Sequence, residues 1–126
     1  MPQTINLVFS EPPEGVTEEE FNAWYDAHLD EILSVPGFVA AQRFRLEQWS
    51  EHPEDERFRF LAVFELDGDL ETIMAEMERM RMSRPELYIE MKKTDTKGPP
   101  IPAWWPDIRW GSWHCRALGE RVERRP

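Results

Sequence analysis

Hydrophobic and polar residues alternate in several stretches of this chain and recur at helical spacing in others. Residues 3–9, Gln-Thr-Ile-Asn-Leu-Val-Phe, put Ile5, Leu7 and Phe9 on one face, which is a strand pattern. Residues 10–15 carry Pro12, Pro13 and Gly15 and read as a loop. Thr17 with Glu20 predicts a capping box, and the acidic run Glu18-Glu19-Glu20 suits the positive end of a helix dipole. That helix is expected to run to about Val35, where Pro36-Gly37 stops it.

Residues 37–49 alternate again, with Phe38, Ala40, Gln42, Phe44 and Leu46 on one side and Val39, Ala41, Arg43 and Arg45 on the other. Residues 50–56 form a polar connection. In 57–66, Phe58, Phe60, Ala62, Phe64 and Leu66 share a face, while Leu61 and Val63 lie opposite. A strand apolar on both faces is central, or meets another chain. Asp69 is a plausible N-cap for a helix from Leu70 to about Met82 carrying Ile73, Met74, Met77 and Met80. Pro85 can open a short helical turn through Lys92. The Pro/Trp-rich stretch of about 93–106 is too rich in proline for any regular element. Residues 107–117 give a last strand, and the tail from Gly119 is charged. The order is β-α-β-β-α-β. With right-handed crossovers it gives an α+β, ferredoxin-like subunit: a four-stranded antiparallel sheet with two helices on one face. The uncovered face then asks for a second layer, and a two-fold copy of the sheet supplies one, so a homodimer is expected.

The chain has 126 residues, the size of a single domain spanning 1–126. Its 25 acidic residues against 15 Lys plus Arg leave a formal charge of -10, which argues against nucleic acid and anionic membrane as main partners. One cysteine excludes an internal disulfide framework. The start, Met1-Pro2-Gln3-Thr4-Ile5, has neither a basic nor a long apolar leader segment, so a cytoplasmic protein is expected.

On a wheel of the first helix, His28 falls in the middle of an apolar arc made by Phe21, Tyr25, Ile32, Val35 and Trp24. Glu31 lies at the margin one turn away, and Asp26 falls on the far side. A histidine in a buried stripe needs a partner, because an unsatisfied buried polar group costs about 1–3 kcal/mol. It is either a core histidine bonded to a backbone carbonyl or to Glu31, or a group aimed into a cavity. Imidazole ordinarily titrates near neutrality, which suits general acid–base work.

The segment Phe21-Asn22-Ala23-Trp24-Tyr25-Asp26-Ala27-His28, continuing through Val35-Pro36-Gly37-Phe38, resembles the signature of the EthD-like proteins. These belong to the dimeric α+β barrel superfamily. Ala40-Ala41-Gln42-Arg43-Phe44 extends the likeness, and Arg109-Trp110-Gly111-Ser112-Trp113 with Leu118-Gly119-Glu120-Arg121 resembles the closing strand of that group. The resemblance implies a ferredoxin-like subunit, pairing as a dimeric α+β barrel, and a pocket between helices and sheet. It also implies that His28 matches a position often used for acid–base chemistry. The tandem-Trp loop has no counterpart in that pattern.

Other residues are open to two readings. His114 alternates with Trp110 and Ser112 in the last strand and faces a pocket, a partner or solvent. His52 sits in a Glu/Pro-rich connection and reads as solvated. No two histidines fall at i, i+4, so no metal site is expected. Cys115 is adjacent to His114 but points the other way, as a small hydrophobe would. The glycines are scattered singly and form no phosphate loop. Arg43 either pairs with acidic neighbours or binds a substrate carboxylate. Trp104 and Trp105, stiffened by prolines, either close over a ligand or plug the core.

The reading that unites these features is a small enzyme without a bound cofactor. His28 would move a proton in an isomerase, cyclase, dehydratase or lyase step on an aromatic or polycyclic molecule. Trp24, Tyr25, Phe44 and Phe64, with the Trp104–Trp105 loop and His114, would bind that molecule. Two rivals remain: a non-catalytic ligand-binding or accessory protein using the same pocket, and a cofactor-free monooxygenase.

Overall fold

A computed structural model describes residues 4–47, 57–95 and 98–126. The elements follow in the order β1 (Thr4–Glu11), α1 (Glu18–Leu33), β2 (Phe38–Arg45), β3 (Phe60–Leu66), α2 (Leu70–Arg79), α3 (Pro85–Lys92), a single 3-10 turn (Trp105–Asp107) and β4 (Arg109–Arg116). The strands make one antiparallel sheet in the order β2-β3-β1-β4, with the helices on one face. This is the ferredoxin-like arrangement expected from the element order. The polar connection at 50–56, with His52, lies outside the described residues.

The N-terminus of α1 forms as its sequence demands. Thr17 is the N-cap, and its hydroxyl accepts from the Glu20 backbone N–H at 3.1 Å. The Glu20 carboxylate does not complete a capping box. It accepts instead from the Trp104 indole at 3.0 Å, which ties the Pro/Trp-rich segment to the start of α1. Proline density does not keep that segment irregular throughout, because Trp105–Asp107, with Pro106 in its first turn, forms a 3-10 turn. Pro85 sits in the first turn of α3, where its missing N–H has no helical partner to lose.

The two sheet faces are apolar for different reasons. On the helix side, Phe60, Ala62, Phe64 and Leu66 of β3 are buried against Phe21, Tyr25, Ile73 and Tyr88. Fully burying each such large side chain contributes about 1.5–3 kcal/mol. The central strand β1, however, turns Thr4, Asn6, Val8 and Ser10 to that side, as its register with β3 and β4 shows. Its apolar set of Ile5, Leu7 and Phe9 faces away from the helices, with Leu61, Val63 and Trp113.

The facing of β2 departs from simple alternation. A register shift between Phe38 and Ala40 puts Phe38 in the core and turns the later positions over. Ala41, Arg43 and Arg45 therefore lie on the helix side, and Gln42 and Phe44 on the open face. One inserted residue reverses every side chain beyond it. Phe44 is thereby separated from the helix-side cavity. Gly37 makes the preceding turn with φ +100°, and a Cβ there would stand 2.4 Å from Ile73 Cγ1, so α2 can approach only a glycine. Among the described residues, no helix is long and apolar enough to cross a membrane.

Candidate functional site

Between the helices and the sheet lies a mostly apolar cavity of about 390 Å³. Its size falls in the range of small-molecule sites. The middle of α1 supplies Tyr25, His28 and Ile32. The sheet supplies Asn6, Phe64, Trp110 and Ser112, and the α2–α3 region supplies Met77, Met82 and Tyr88. Trp105 also lines it, with its ring 5.4 Å from that of Tyr88.

His28 borders this cavity, and its side chain is only 12% exposed. Its Nδ1 lies 3.0 Å from Glu31 Oε1, one helical turn on. The carboxylate is held from every side. The Tyr88 hydroxyl donates to Oε1 at 2.8 Å, and Lys92 Nζ, 5% exposed, donates to Oε2 at 3.0 Å. Burial by itself would raise the pKa of Glu31. Hydrogen bonds from His28, Lys92 and Tyr88 outweigh it and hold the carboxyl below its usual range. An ionised Glu31 can only accept. The hydrogen of the imidazole must therefore sit on Nδ1, where it donates to Glu31, and Nε2 is left as the basic nitrogen. Nε2 has no hydrogen-bond partner among the described residues.

Tyr88 also lies 3.3 Å from Nδ1, but its hydrogen is directed to the closer carboxylate. Burial, followed by the bond to Glu31, pushes the Tyr88 phenol well above its ordinary range, so it stays a donor. Trp24 stacks flat on the imidazole, with centroids 4.7 Å apart and planes 14° from parallel. Its own indole donates to the Pro100 carbonyl at 3.2 Å, which fixes the ring. An aromatic face and a carboxylate thus flank the imidazole.

The residues singled out in the sequence separate into groups. His28, Tyr25, Phe64 and Trp105 line the cavity. Trp24 supports His28 from behind. Trp104 packs on the outer side of α1, 5.8 Å from both Phe21 and Trp24, and does not reach the cavity. Phe44 is on the opposite sheet face for the reason given above. His114 pairs with Asn6 across β1 and β4 but is exposed and is not part of the wall. Arg43 stands over the Tyr25 ring at 4.4 Å and donates to Asp26 and Asn22, at 3.1 and 2.8 Å. It supports α1 from the side away from the cavity.

Tyr88, Lys92, Asn6, Ser112 and Trp110 belong to the site and were not singled out as such. Tyr88 and Lys92 are i and i+4 on α3, a spacing that puts both on one face. Among the described residues, no group of three or more His, Cys, Asp or Glu side chains could hold a metal ion.

No protein-family model matches the chain, and no curated protein matches it. Solved structures do. HapK from Hahella chejuensis superposes with a TM-score of 0.55 over 96% of this chain and 98% of its own, at 10% identity. At3g17210 from Arabidopsis thaliana gives 0.52 over 93% and 99%, at 9% identity. At such identities the likeness shows the fold alone.

Proposed function

We propose that the chain is a small cofactor-independent enzyme of the EthD-like type. It performs acid–base chemistry of the isomerase, cyclase, dehydratase or lyase kind on an aromatic or polycyclic organic molecule. The observation that carries this reading is the His28–Glu31 pair at the wall of a mostly apolar cavity. A neutral imidazole tautomer with Nε2 unbonded is the form a general base needs. Glu31 orients it and balances its charge after proton uptake. Nε2 takes a proton from an acidic carbon or hydroxyl of the substrate and returns it to another atom of the same molecule. No redox partner is needed for such a step.

The working form in this reading is a homodimer. Leu7, Phe9, Leu61, Val63 and Trp113 make an apolar layer on the sheet face opposite the helices, and Trp113 is 57% exposed. A second copy, packed sheet to sheet, covers that layer.

The test is a thermal-shift panel of phenols, quinones, lactones and aromatic acids, followed by turnover of the stabilising compounds by wild type and His28→Ala. The expected result is a chemically changed product and a loss of about 10²–10⁴-fold in kcat for the variant. Ligands returned unchanged by wild type, with His28→Ala altering affinity alone, would make this a binding protein.

A further inference from the structure

The floor of the cavity carries a polar pair that the acid–base reading does not use. Asn6, on the central strand, is only 7% exposed and faces the helices among apolar neighbours. Its Nδ2 donates to Ser112 Oγ at 3.1 Å and to the Trp113 carbonyl at 2.9 Å. A backbone carbonyl can only accept, so the orientation of the amide is fixed by the network. Both amide hydrogens are engaged on β4. Asn6 Oδ1 is left as an acceptor with no partner among the described residues, yet it is not sealed in the core, because Asn6 borders the cavity. Ser112 Oγ accepts from Asn6, and its own hydrogen has no acceptor among the described residues. The pair therefore presents one acceptor and one donor side by side.

We infer that Asn6 and Ser112 form a specificity subsite for a hydroxyl group on the bound aromatic molecule. One hydroxyl donates to Asn6 Oδ1 and accepts from the Ser112 hydroxyl, which satisfies both groups at once. A hydrocarbon edge, or an ether that has lost its hydrogen, leaves the buried Asn6 acceptor unpaired. A site built to bond a hydroxyl discriminates strongly against the analogue lacking it, because the protein group then remains desolvated without a partner. His28 stands on the α1 wall of the same cavity, across from the sheet floor. The subsite thus anchors one edge of the ligand while His28 faces another. This deepens the proposed function and rests on its cavity, though not on any catalytic step.

The probes are 2-naphthol, 2-methoxynaphthalene and naphthalene, titrated calorimetrically against wild type, Asn6→Leu, Ser112→Ala and His28→Ala. Wild type should bind 2-naphthol at least ~10-fold tighter than either analogue. Asn6→Leu should bring that ratio close to one while keeping the affinity for naphthalene, which also shows that the cavity has survived. Ser112→Ala, a smaller change on an edge strand, should lower the ratio in part. His28→Ala should leave it in place. An undiminished ratio in Asn6→Leu and Ser112→Ala overturns the inference. So does a wild type that binds the three probes equally or binds none of them. The acid–base reading is judged separately, by turnover in wild type and His28→Ala.

Discussion

The Tyr88 hydroxyl and the Glu31 carboxylate meet at 2.8 Å, joining α3 to α1 beside the His28 ring. The contact makes α3 part of the site. Tyr88→Phe keeps the ring packed near Trp105 and removes one donor from a buried anion. Hydrogen bonds to charged groups contribute about 1.5–3 kcal/mol, so urea unfolding should show a loss of that order. The reaction proposed for His28 should slow as well, because Glu31 is then held by two donors instead of three. A variant as stable as wild type would show that the hydroxyl contributes little to the carboxylate's position.

The depressed pKa of Glu31 makes stability depend on pH with a defined sign. Burial opposes ionisation, but the bonds from His28, Lys92 and Tyr88 outweigh it. The folded state therefore holds the proton less tightly than the unfolded chain, where a glutamate titrates near ~4.3. The resulting stabilisation is fully present above that value and is lost as pH falls through the lower folded value. Glu31→Gln removes this contribution. The difference in unfolding free energy between wild type and Glu31→Gln should be largest near neutrality and shrink at pH values below ~4. A difference that does not change with pH would mean that the carboxylate is not stabilised as an anion.

How much of this was legible in the sequence follows from the range of each interaction. The first helix gave His28 its place in the apolar arc and Glu31 its place one turn away, because both lie within one local period. Tyr88 was not legible, since its pairing with Glu31 spans 57 residues and depends on how a short proline-started helix docks. Phe44 was misplaced for a different reason. Alternation read along β2 assumes an unbroken register, and the shift between Phe38 and Ala40 turns the rest of the strand over. Trp104 and Trp105 looked equivalent in a proline-rich run. A single 3-10 turn sends one to the outer side of α1 and the other to the cavity. Asn6 was hidden by its own pattern, because the apolar residues beside it drew attention to the face that carries no helix.

Gly98 constrains the same carboxylate from outside α1. Its φ is +73°, a conformation that disfavours side chains, and a Cβ there would stand 2.5 Å from Glu31 Cγ. Glu31 cannot yield easily, because three hydrogen bonds fix its oxygens. Gly98→Ala should destabilise the protein by more than ~1 kcal/mol through backbone strain. It should also disturb the pair it crowds. The downfield proton signal of His28 Nδ1–H in NMR spectra should shift or broaden in Gly98→Ala. An unchanged signal with normal stability would mean that the segment moves aside at no cost.

The open sheet face offers the last test, of the assembly. Leu7 and Trp113 are direct cross-strand partners on β1 and β4, on the side away from the helices, and Phe9 and Trp113 meet edge-on at 5.6 Å. An apolar layer of this kind on a monomer would face water, whereas in a sheet-to-sheet dimer it becomes the interior. Trp113→Lys places a charge in that layer without touching the cavity, which lies on the other face. Equilibrium ultracentrifugation should show wild type as a dimer and Trp113→Lys shifted toward monomer by ~10-fold or more in dissociation constant, since an unpaired charge at a buried interface is strongly disfavoured. Because the substituted position is exposed in the single subunit, the fold of each chain should persist, as checked by circular dichroism. A monomeric wild type would leave the apolar layer uncovered by a second copy and sink the proposed assembly.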